Sequence, residues 1–159
     1  MRRIKRILEK GHMNKKGVTL IELIVVMVII AIGAVFVTPN IRAWLINYRL
    51  RSATRDIASV LRVAQMKAVS NSMEYQVSFN GAGGNFILER NSGGVWVSDG
   101  STQKLPYGVS FSNTFTNPDN KALFRPNSTS NGGSVVIQNS RGDRRTITVL
   151  FTTAKITIK

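Results

Sequence analysis

The chain has 159 residues, with 22 Lys and Arg against 8 Asp and Glu, and its formal net charge is +14. It contains no Cys and a single His, His12, near its start. These counts exclude thiolate catalysis, disulfides and Cys-based zinc sites, and they leave His-dependent catalysis with one residue in a basic leader. The length suits one modest domain with an appendage.

The positive charge is concentrated at the N-terminus. Residues 1–17 carry seven Lys or Arg and one Glu, whereas the remaining 142 residues have a net charge of +8. A basic excess usually indicates a polyanionic partner, either nucleic acid or anionic lipid. The body of this chain is less basic than a dedicated nucleic-acid binder.

Residues 18–37 form an apolar stretch in which Glu22 is the single charged residue. As a helix it would be about 30 Å long, the thickness of the hydrocarbon core of a bilayer. It lacks the polar stripe of a soluble amphipathic helix. We therefore predict a membrane-spanning helix over residues 18–37. A secretory signal peptide and a plain signal anchor are the alternatives, but neither explains a carboxylate placed inside the stretch.

A short motif stands at the start of this stretch. Lys15-Lys16-Gly17 precedes Val18, and Glu22 is the fifth residue after the glycine. The motif resembles the class III prepilin leader of type IV pilins and type II secretion pseudopilins, in which a prepilin peptidase cuts after the Gly and the new N-terminal residue is methylated. The resemblance implies cleavage after Gly17, N-methylation of Val18 and a role of Glu22 in assembly. The usual first mature residue in the family is Phe.

Cleavage after Gly17 would create an α-amino group one helical turn from Glu22. Such a group has a pKa of about 8 and is mostly cationic at neutral pH, so it needs a partner inside an apolar bundle. Glu22 of the same chain or of a neighbouring subunit can neutralise it. The family resemblance implies the pairing between subunits.

Two start positions are compatible with the leader. Met13 opens a leader of the usual short length, whereas a start at Met1 adds twelve residues. From Met1, seven basic residues precede the span against four in residues 38–57, but from Met13 only two precede it. Charge counting therefore does not fix the orientation. The family resemblance implies a leader in the cytoplasm and a single-pass protein of the bacterial inner membrane, with its C-terminal domain in the periplasm or outside.

Residues 40–72 contain neither Gly nor Pro, and apolar residues recur there at helical steps of three to five. These residues form a stripe at Ile41, Trp44, Leu45, Tyr48, Ala53, Ile57, Leu61, Ala64 and Ala68. We predict that residues 38–72 continue the apolar helix as an amphipathic one that ends near Asn71. Pro39 removes a backbone hydrogen bond, so a bend or a junction of two helices is expected there. Many pilins also carry a Pro at this mature position.

After Asn71 the composition changes to that of a β domain, residues 73–159. Ten of the 13 Gly lie beyond residue 80, between short β-type runs. About eight strands are predicted, at residues 75–79, 85–90, 95–97, 107–111, 122–124, 134–138, 145–151 and 155–158. A sheet of such short strands needs a hydrophobic cover, which the helical stripe can supply. The predicted fold is α+β, with a long N-terminal helix packed on an antiparallel sheet.

Two stretches narrow the family. Leu-Phe-Arg-Pro at residues 123–126 and Gly-Gly-Ser-Val-Val-Ile at residues 132–137 resemble the GspH/FimT-type domain of minor pseudopilins and minor pilins. The resemblance implies a non-enzymatic assembly subunit without a cofactor. Its partners would be other pilin or pseudopilin subunits, the prepilin peptidase/methyltransferase, the inner membrane and secreted cargo. Asp119 and Asp143 are too sparse and too far apart for a calcium loop, so no metal site is expected.

The alternative function is DNA binding. One branch of the family binds DNA in natural transformation through a Gly-Arg-x-Arg motif in its last hairpin. The matching stretch here is Ala154-Lys155-Ile156-Thr157, which keeps one positive charge and lacks the Gly and the second Arg. The candidate contacts with DNA are Arg141, Arg144, Arg145 and Lys155. The simpler interpretation of these residues is a solvated basic hairpin.

Overall fold

The computed structural model describes residues 17–115 and 119–159, and within residues 36–40 it describes the backbone alone. The predicted leader lies outside the described residues except for Gly17. The chain divides into two compact units, with the boundary between Asn40 and Ile41. The second unit, Ile41–Lys159, is called the globular unit below.

A single helix of 51 residues, α1 (Leu20–Ser70), begins near the start of the described chain. Thr19 caps its start, because Thr19 Oγ1 accepts a hydrogen bond from the backbone N–H of Glu22 at 3.3 Å. At its end Ser72 has a φ of 52°, and the N–H of Met73 donates to Ala68 O at 3.3 Å. This closure is a Schellman motif and confirms the predicted end near Asn71. The helix is continuous across Pro39, so the alternative prediction that two helices meet there is wrong.

The first part of α1 is not covered by any other residue that the structure describes. Every residue from Gly17 to Val35 is exposed. Within residues 17–115 and 119–159, no helix has the combined length and apolarity that crossing a bilayer requires. The membrane span predicted over residues 18–37 is therefore not confirmed by the structure.

The globular unit contains two antiparallel sheets. The first has the order β3-β2-β1-β6, with β4 also paired to β2, and its strands are β1 (Tyr75–Asn80), β2 (Asn85–Ser92), β3 (Val95–Ser98), β4 (Gln103–Lys104) and β6 (Ala122–Phe124). The second has the order β5-β7-β8-β9, and its strands are β5 (Val109–Phe115), β7 (Gly133–Asn139), β8 (Arg144–Val149) and β9 (Ile156–Ile158). A long helix with antiparallel sheets confirms the predicted α+β class.

Three strand predictions need correction. Residues 17–115 and 119–159 contain nine strands, because the two residues of β4 pair with β2 outside any predicted run. The strand predicted at 107–111 begins at Val109, since Gly108 has a φ of 80° and the N–H of Val109 donates to Pro106 O at 3.2 Å in a turn. The strand predicted to end at residue 151 ends at Val149, where the chain turns towards β9.

Helix α1 and both sheets share one hydrophobic core. The helix contributes Leu50, Ala53, Ile57, Ala58, Leu61, Ala64 and Ala68, and the largest fully buried side chains of the strands are Tyr75, Phe124, Ile137 and Ile147. The predicted stripe is therefore confirmed from Ala53 onward. Its first part is wrong, because Ile41, Trp44 and Tyr48 are exposed and Trp44 stacks on Tyr48 at 5.3 Å instead of entering the core.

Residues 130–133 join the two sheets. The Asn131 side chain pairs with the backbone of β6, because Asn131 Oδ1 accepts a hydrogen bond from the backbone N–H of Leu123 at 2.9 Å. Ser130 Oγ donates to Leu150 O, beyond β8, at 2.9 Å. Gly133 begins β7 with a φ of 146°, and a Cβ there would overlap Thr114 O and lie 2.8 Å from Phe115 Cα. Only glycine fits this close approach of β7 to β5 without displacement.

We expect Gly133→Ala to lower the free energy of unfolding by about 3 kcal/mol, because it adds a backbone overlap to an unfavourable φ. The measurement is urea unfolding followed by circular dichroism. Gly81→Ala is the matched control, since no atom lies within 4 Å of the added Cβ. Equal stability of the two variants would contradict the assigned role of Gly133.

An ion pair ties the last turns of α1 to the loop after β3. Lys67 Nζ donates to Asp99 Oδ2 at 2.8 Å, and this hydrogen bond holds the pKa of the Asp99 carboxyl below its ordinary value. The pKa of an unfolded Asp is about 3.9. Because the folded pKa lies below that value, the pair stabilises the fold above about pH 4, and its contribution is lost as pH falls through the folded pKa.

We therefore expect Lys67→Gln to flatten the dependence of unfolding free energy on pH in the acid range. At neutral pH the loss should be below about 1 kcal/mol, since both side chains are partly exposed. Urea unfolding at a series of pH values measures both effects. Arg62→Gln removes an equal charge from an exposed position of the same helix and should leave the acid slope unchanged.

Candidate functional site

The predicted processing site lies just before α1. Gly17 and Val18 are exposed and precede the first helical residue. No atom lies within 4 Å of the position that a Cβ on Gly17 would take. The bond between Gly17 and Val18 is thus open to approach in the described part of the chain.

Glu22 lies in the first turn of α1. Thr19 and Glu22 have the spacing of a capping box. One of its two hydrogen bonds is present, from the backbone N–H of Glu22 to Thr19 Oγ1. The ion pairs among the described residues all lie in the globular unit, and none of them includes Glu22. Its carboxylate is therefore available to a cation from outside the described chain. Of Pro39, the structure describes only the helical backbone.

Three of the four predicted DNA contacts come together at the turn between β7 and β8. Asn139, which is only 4% exposed, shapes this turn. Its Oδ1 accepts from the N–H groups of Arg141 and Asp143 at 2.9 and 3.0 Å, and its Nδ2 donates to Asp143 Oδ2 at 2.8 Å. Arg144 and Arg145 begin β8 directly after the turn. The turn and the start of β8 therefore carry three Arg close together in sequence, and the Arg144 side chain lines a separate groove on the second sheet with Ser112 and Gln138.

The turn lies beside the first turns of α1 in the globular unit. Asn139 Nδ2 donates to Asn47 Oδ1 at 3.4 Å. Arg42 and Arg49 of α1 line a groove together with Tyr107 and Ser140, and Arg49 donates to Tyr107 O at 3.4 Å.

The C-terminus reaches the same place, because Lys159 exchanges two backbone hydrogen bonds with Thr146, the residue after Arg145. We call this surface the basic end, which consists of Arg42, Arg49, Arg141, Arg144, Arg145 and Lys159. Asp143 adds an acidic side chain within the turn.

Lys155 lies elsewhere. It lines a groove with Arg62, Gln65 and Met66, and Gln65 Nε2 donates to Thr153 O at 3.4 Å. Residues 47 and 65 are about 27 Å apart along α1, at 1.5 Å per residue. The structure therefore places Lys155 apart from the three Arg residues. Sequence reasoning missed Arg42 and Arg49, because their distance from the hairpin in sequence gives no signal of contact.

Ala154 has a left-handed backbone conformation. Its φ is 49°, a value that costs a residue with a Cβ about 1–2 kcal/mol. A glycine would adopt this conformation without that cost. Within residues 17–115 and 119–159, no group of three His, Cys, Asp or Glu side chains is placed to hold a metal ion.

Two family models match the chain. Residues 12–38 match the prokaryotic N-terminal methylation motif, and residues 53–153 match the type II transport protein GspH. No curated protein sequence matches.

The fold is similar to two solved structures. The minor pseudopilin EpsH from the type 2 secretion system of Vibrio cholerae is 8% identical, with a TM-score of 0.61 over 70% of this chain and 96% of that chain. The type IV minor pilin FimU of Pseudomonas aeruginosa is 14% identical, with a TM-score of 0.58 over 71% of this chain and 90% of that chain. At these identities the likeness shows the fold alone.

The match to the GspH model covers more than half of the chain. Pseudopilins are membrane-anchored through an N-terminal helix, assemble with other pilin subunits and are structural proteins rather than enzymes. The prediction of the family is therefore confirmed. The chain belongs to the GspH family, the minor pseudopilins and pilins of type II secretion or type IV pili.

Proposed function

We propose that the chain is processed after Gly17 and assembled into a type II secretion pseudopilus or a type IV pilus, where it serves protein secretion or pilus biogenesis. The exposure of residues 18–35 carries this proposal. Thirteen large apolar side chains there are each at least 47% exposed, and burying apolar surface yields about 25 cal/mol per Å². The cover must come from lipid or from other chains, and a fibre subunit uses both in turn.

The proposed division of the chain into segments follows from the transfer of residues 18–35 from lipid to the fibre. Residues 1–17 are the leader, residues 18–37 are the membrane and fibre-core segment, residues 38–72 continue the helix and residues 73–159 form the globular β domain. Before assembly the chain is a single-pass protein of the inner membrane with its globular part in the periplasm. The apolar composition of residues 18–37 and the anchoring of pseudopilins by an N-terminal helix support this arrangement.

Glu22 is proposed to neutralise the methylated α-amino group of Val18 in a neighbouring subunit. Two features support the intermolecular pairing: the carboxylate is exposed in the first turn of α1, and no described ion pair occupies it. A charged pair inside an apolar bundle is favourable only when both partners are present. The pairing would therefore select one register between stacked helices. Pro39 leaves one carbonyl of α1 without its helical donor, which would let the helix bend in the fibre.

DNA uptake is the second candidate function. The grouping of Arg141, Arg144 and Arg145 at one turn favours it, because clustered Arg side chains bind phosphates. The separation of Lys155 from this group weakens it. A duplex would have to bind the basic end rather than the last hairpin.

We expect the mature protein to begin at Val18 and to carry one N-terminal methyl group. Mass spectrometry of protein from a host with an active prepilin peptidase measures this directly. Gly17→Val should retain the leader, whereas Gly33→Ala, where the added Cβ meets open space, should be processed normally. A mature chain that still starts at Met1 or Met13 would overturn the proposal.

We expect Glu22→Gln to reduce incorporation into fibres at least about five-fold, because it leaves a buried cation unpaired, at a cost of about 1–3 kcal/mol. Glu22→Asp keeps the charge and should assemble better than Glu22→Gln. Immunoblots of the isolated fibre fraction, normalised to the membrane fraction, give the comparison. Undiminished assembly of Glu22→Gln would indicate an anchored domain that does not polymerise through this pair.

A further inference from the structure

We propose that the basic end is a docking surface for anionic lipid headgroups, which holds the globular unit against the membrane before assembly. The inference rests on the proposed function, since that function places a membrane segment directly before the globular unit. Arg42 follows the last residue of that segment by five positions in the chain. The basic end is therefore the part of the globular unit that the chain connects to the membrane.

The charge at this end suits an anionic surface. Two elements distant in sequence meet here, because the α1 segment that carries Arg42 and Arg49 contacts the β7–β8 turn that carries Arg141, through the hydrogen bond between Asn139 and Asn47. Asp143 is exposed, and its Oδ2 accepts a hydrogen bond from Asn139 Nδ2, so one carboxylate lies among these basic side chains. Basic side chains close to an anionic bilayer each raise the affinity roughly five-fold. Six of them exceed what the fold needs, because the described ion pairs lie elsewhere in the globular unit.

Exposed aromatic side chains lie at the same end. Trp44 is 63% exposed and stacks on Tyr48, and Tyr107 beside Arg49 is 90% exposed. Tyr and Trp are enriched where a membrane meets water, since their rings are apolar and their N–H or O–H groups are polar. The combination of these aromatics with Arg side chains distinguishes the basic end from a solvated charged face.

A lipid surface fits this arrangement better than DNA. DNA contact predicts a continuous strip of basic residues, yet Lys155 pairs with Leu150, about 20 Å along the strand from Arg144. A planar membrane requires positive charge at one end only. Neither Tyr107 nor Trp44 has a role in binding phosphates of a duplex, whereas both suit a headgroup layer.

The test uses the full chain in nanodiscs, either of phosphatidylcholine alone or of phosphatidylcholine with phosphatidylglycerol. The chain has no Cys, so Ser140→Cys and Thr152→Cys each provide one labelling site. Ser140 lines the groove at the basic end, and Thr152 is exposed beside Thr153, the residue that contacts Gln65 at the other end. The readout is the quenching of a fluorescent label by acrylamide, a neutral quencher in the aqueous phase.

We expect phosphatidylglycerol to protect the label at residue 140 and not the label at residue 152. Arg141→Gln with Arg144→Gln should weaken the docking equilibrium about 25-fold, roughly five-fold for each charge, and abolish the protection. Arg62→Gln with Lys155→Gln removes the same charge from the other end and should preserve it. Added salt should reverse the protection, because it screens the headgroups. Thermal unfolding of both double variants checks that the globular unit remains folded.

Equal quenching of residue 140 in the two nanodiscs would overturn the docking proposal. Protection by duplex DNA at the same salt concentration, without protection by phosphatidylglycerol, would overturn it in favour of DNA binding. Failure of the chain to enter nanodiscs at all would instead contradict the proposed membrane segment. The failure of this inference is thus distinguishable from the failure of the proposed function.

Discussion

The structure depends on one helix, α1, whose second part is buried by the sheets and whose first part is exposed. From Leu50 to Ala68 the two sheets bury one side of α1. From Leu20 to Val35 nothing in the described chain covers the helix. The same backbone therefore serves as the core of a domain and as a surface that lipid or another subunit must bury. The proposed function follows from this division.

Much of the fold could be predicted from the sequence because the local signals agreed. The change from helical periodicity to Gly-rich β runs located the end of α1, and short β-type runs between turn residues located most strands. The two residues of β4 were missed, since a strand so short has no pattern and exists through its pairing with β2. The exposure of Trp44 was also missed, because the period of a helix cannot reveal where the sheets beside it end.

The candidate surfaces were predictable to different degrees. The residues around Gly17 form a contiguous motif, so their sequence was sufficient for the prediction. The basic end depends on contacts between α1 and a turn about 90 residues later in the chain, as in the hydrogen bond between Asn47 and Asn139. Composition showed the positive charge but could not separate Lys155 from the arginines. Asn139 could not be recognised as the residue that orders the turn, because its role appears only in its buried hydrogen bonds.

Every buried hydrophobic side chain of the core lies between Leu50 and Ala154. Folding and polymerisation consequently draw on separate sets of residues. Substitutions in residues 20–35 can retune how tightly a subunit is held by bilayer or fibre while the domain melts at an unchanged temperature. A subunit built in this way can move from the bilayer to the fibre while its globular unit keeps the same structure.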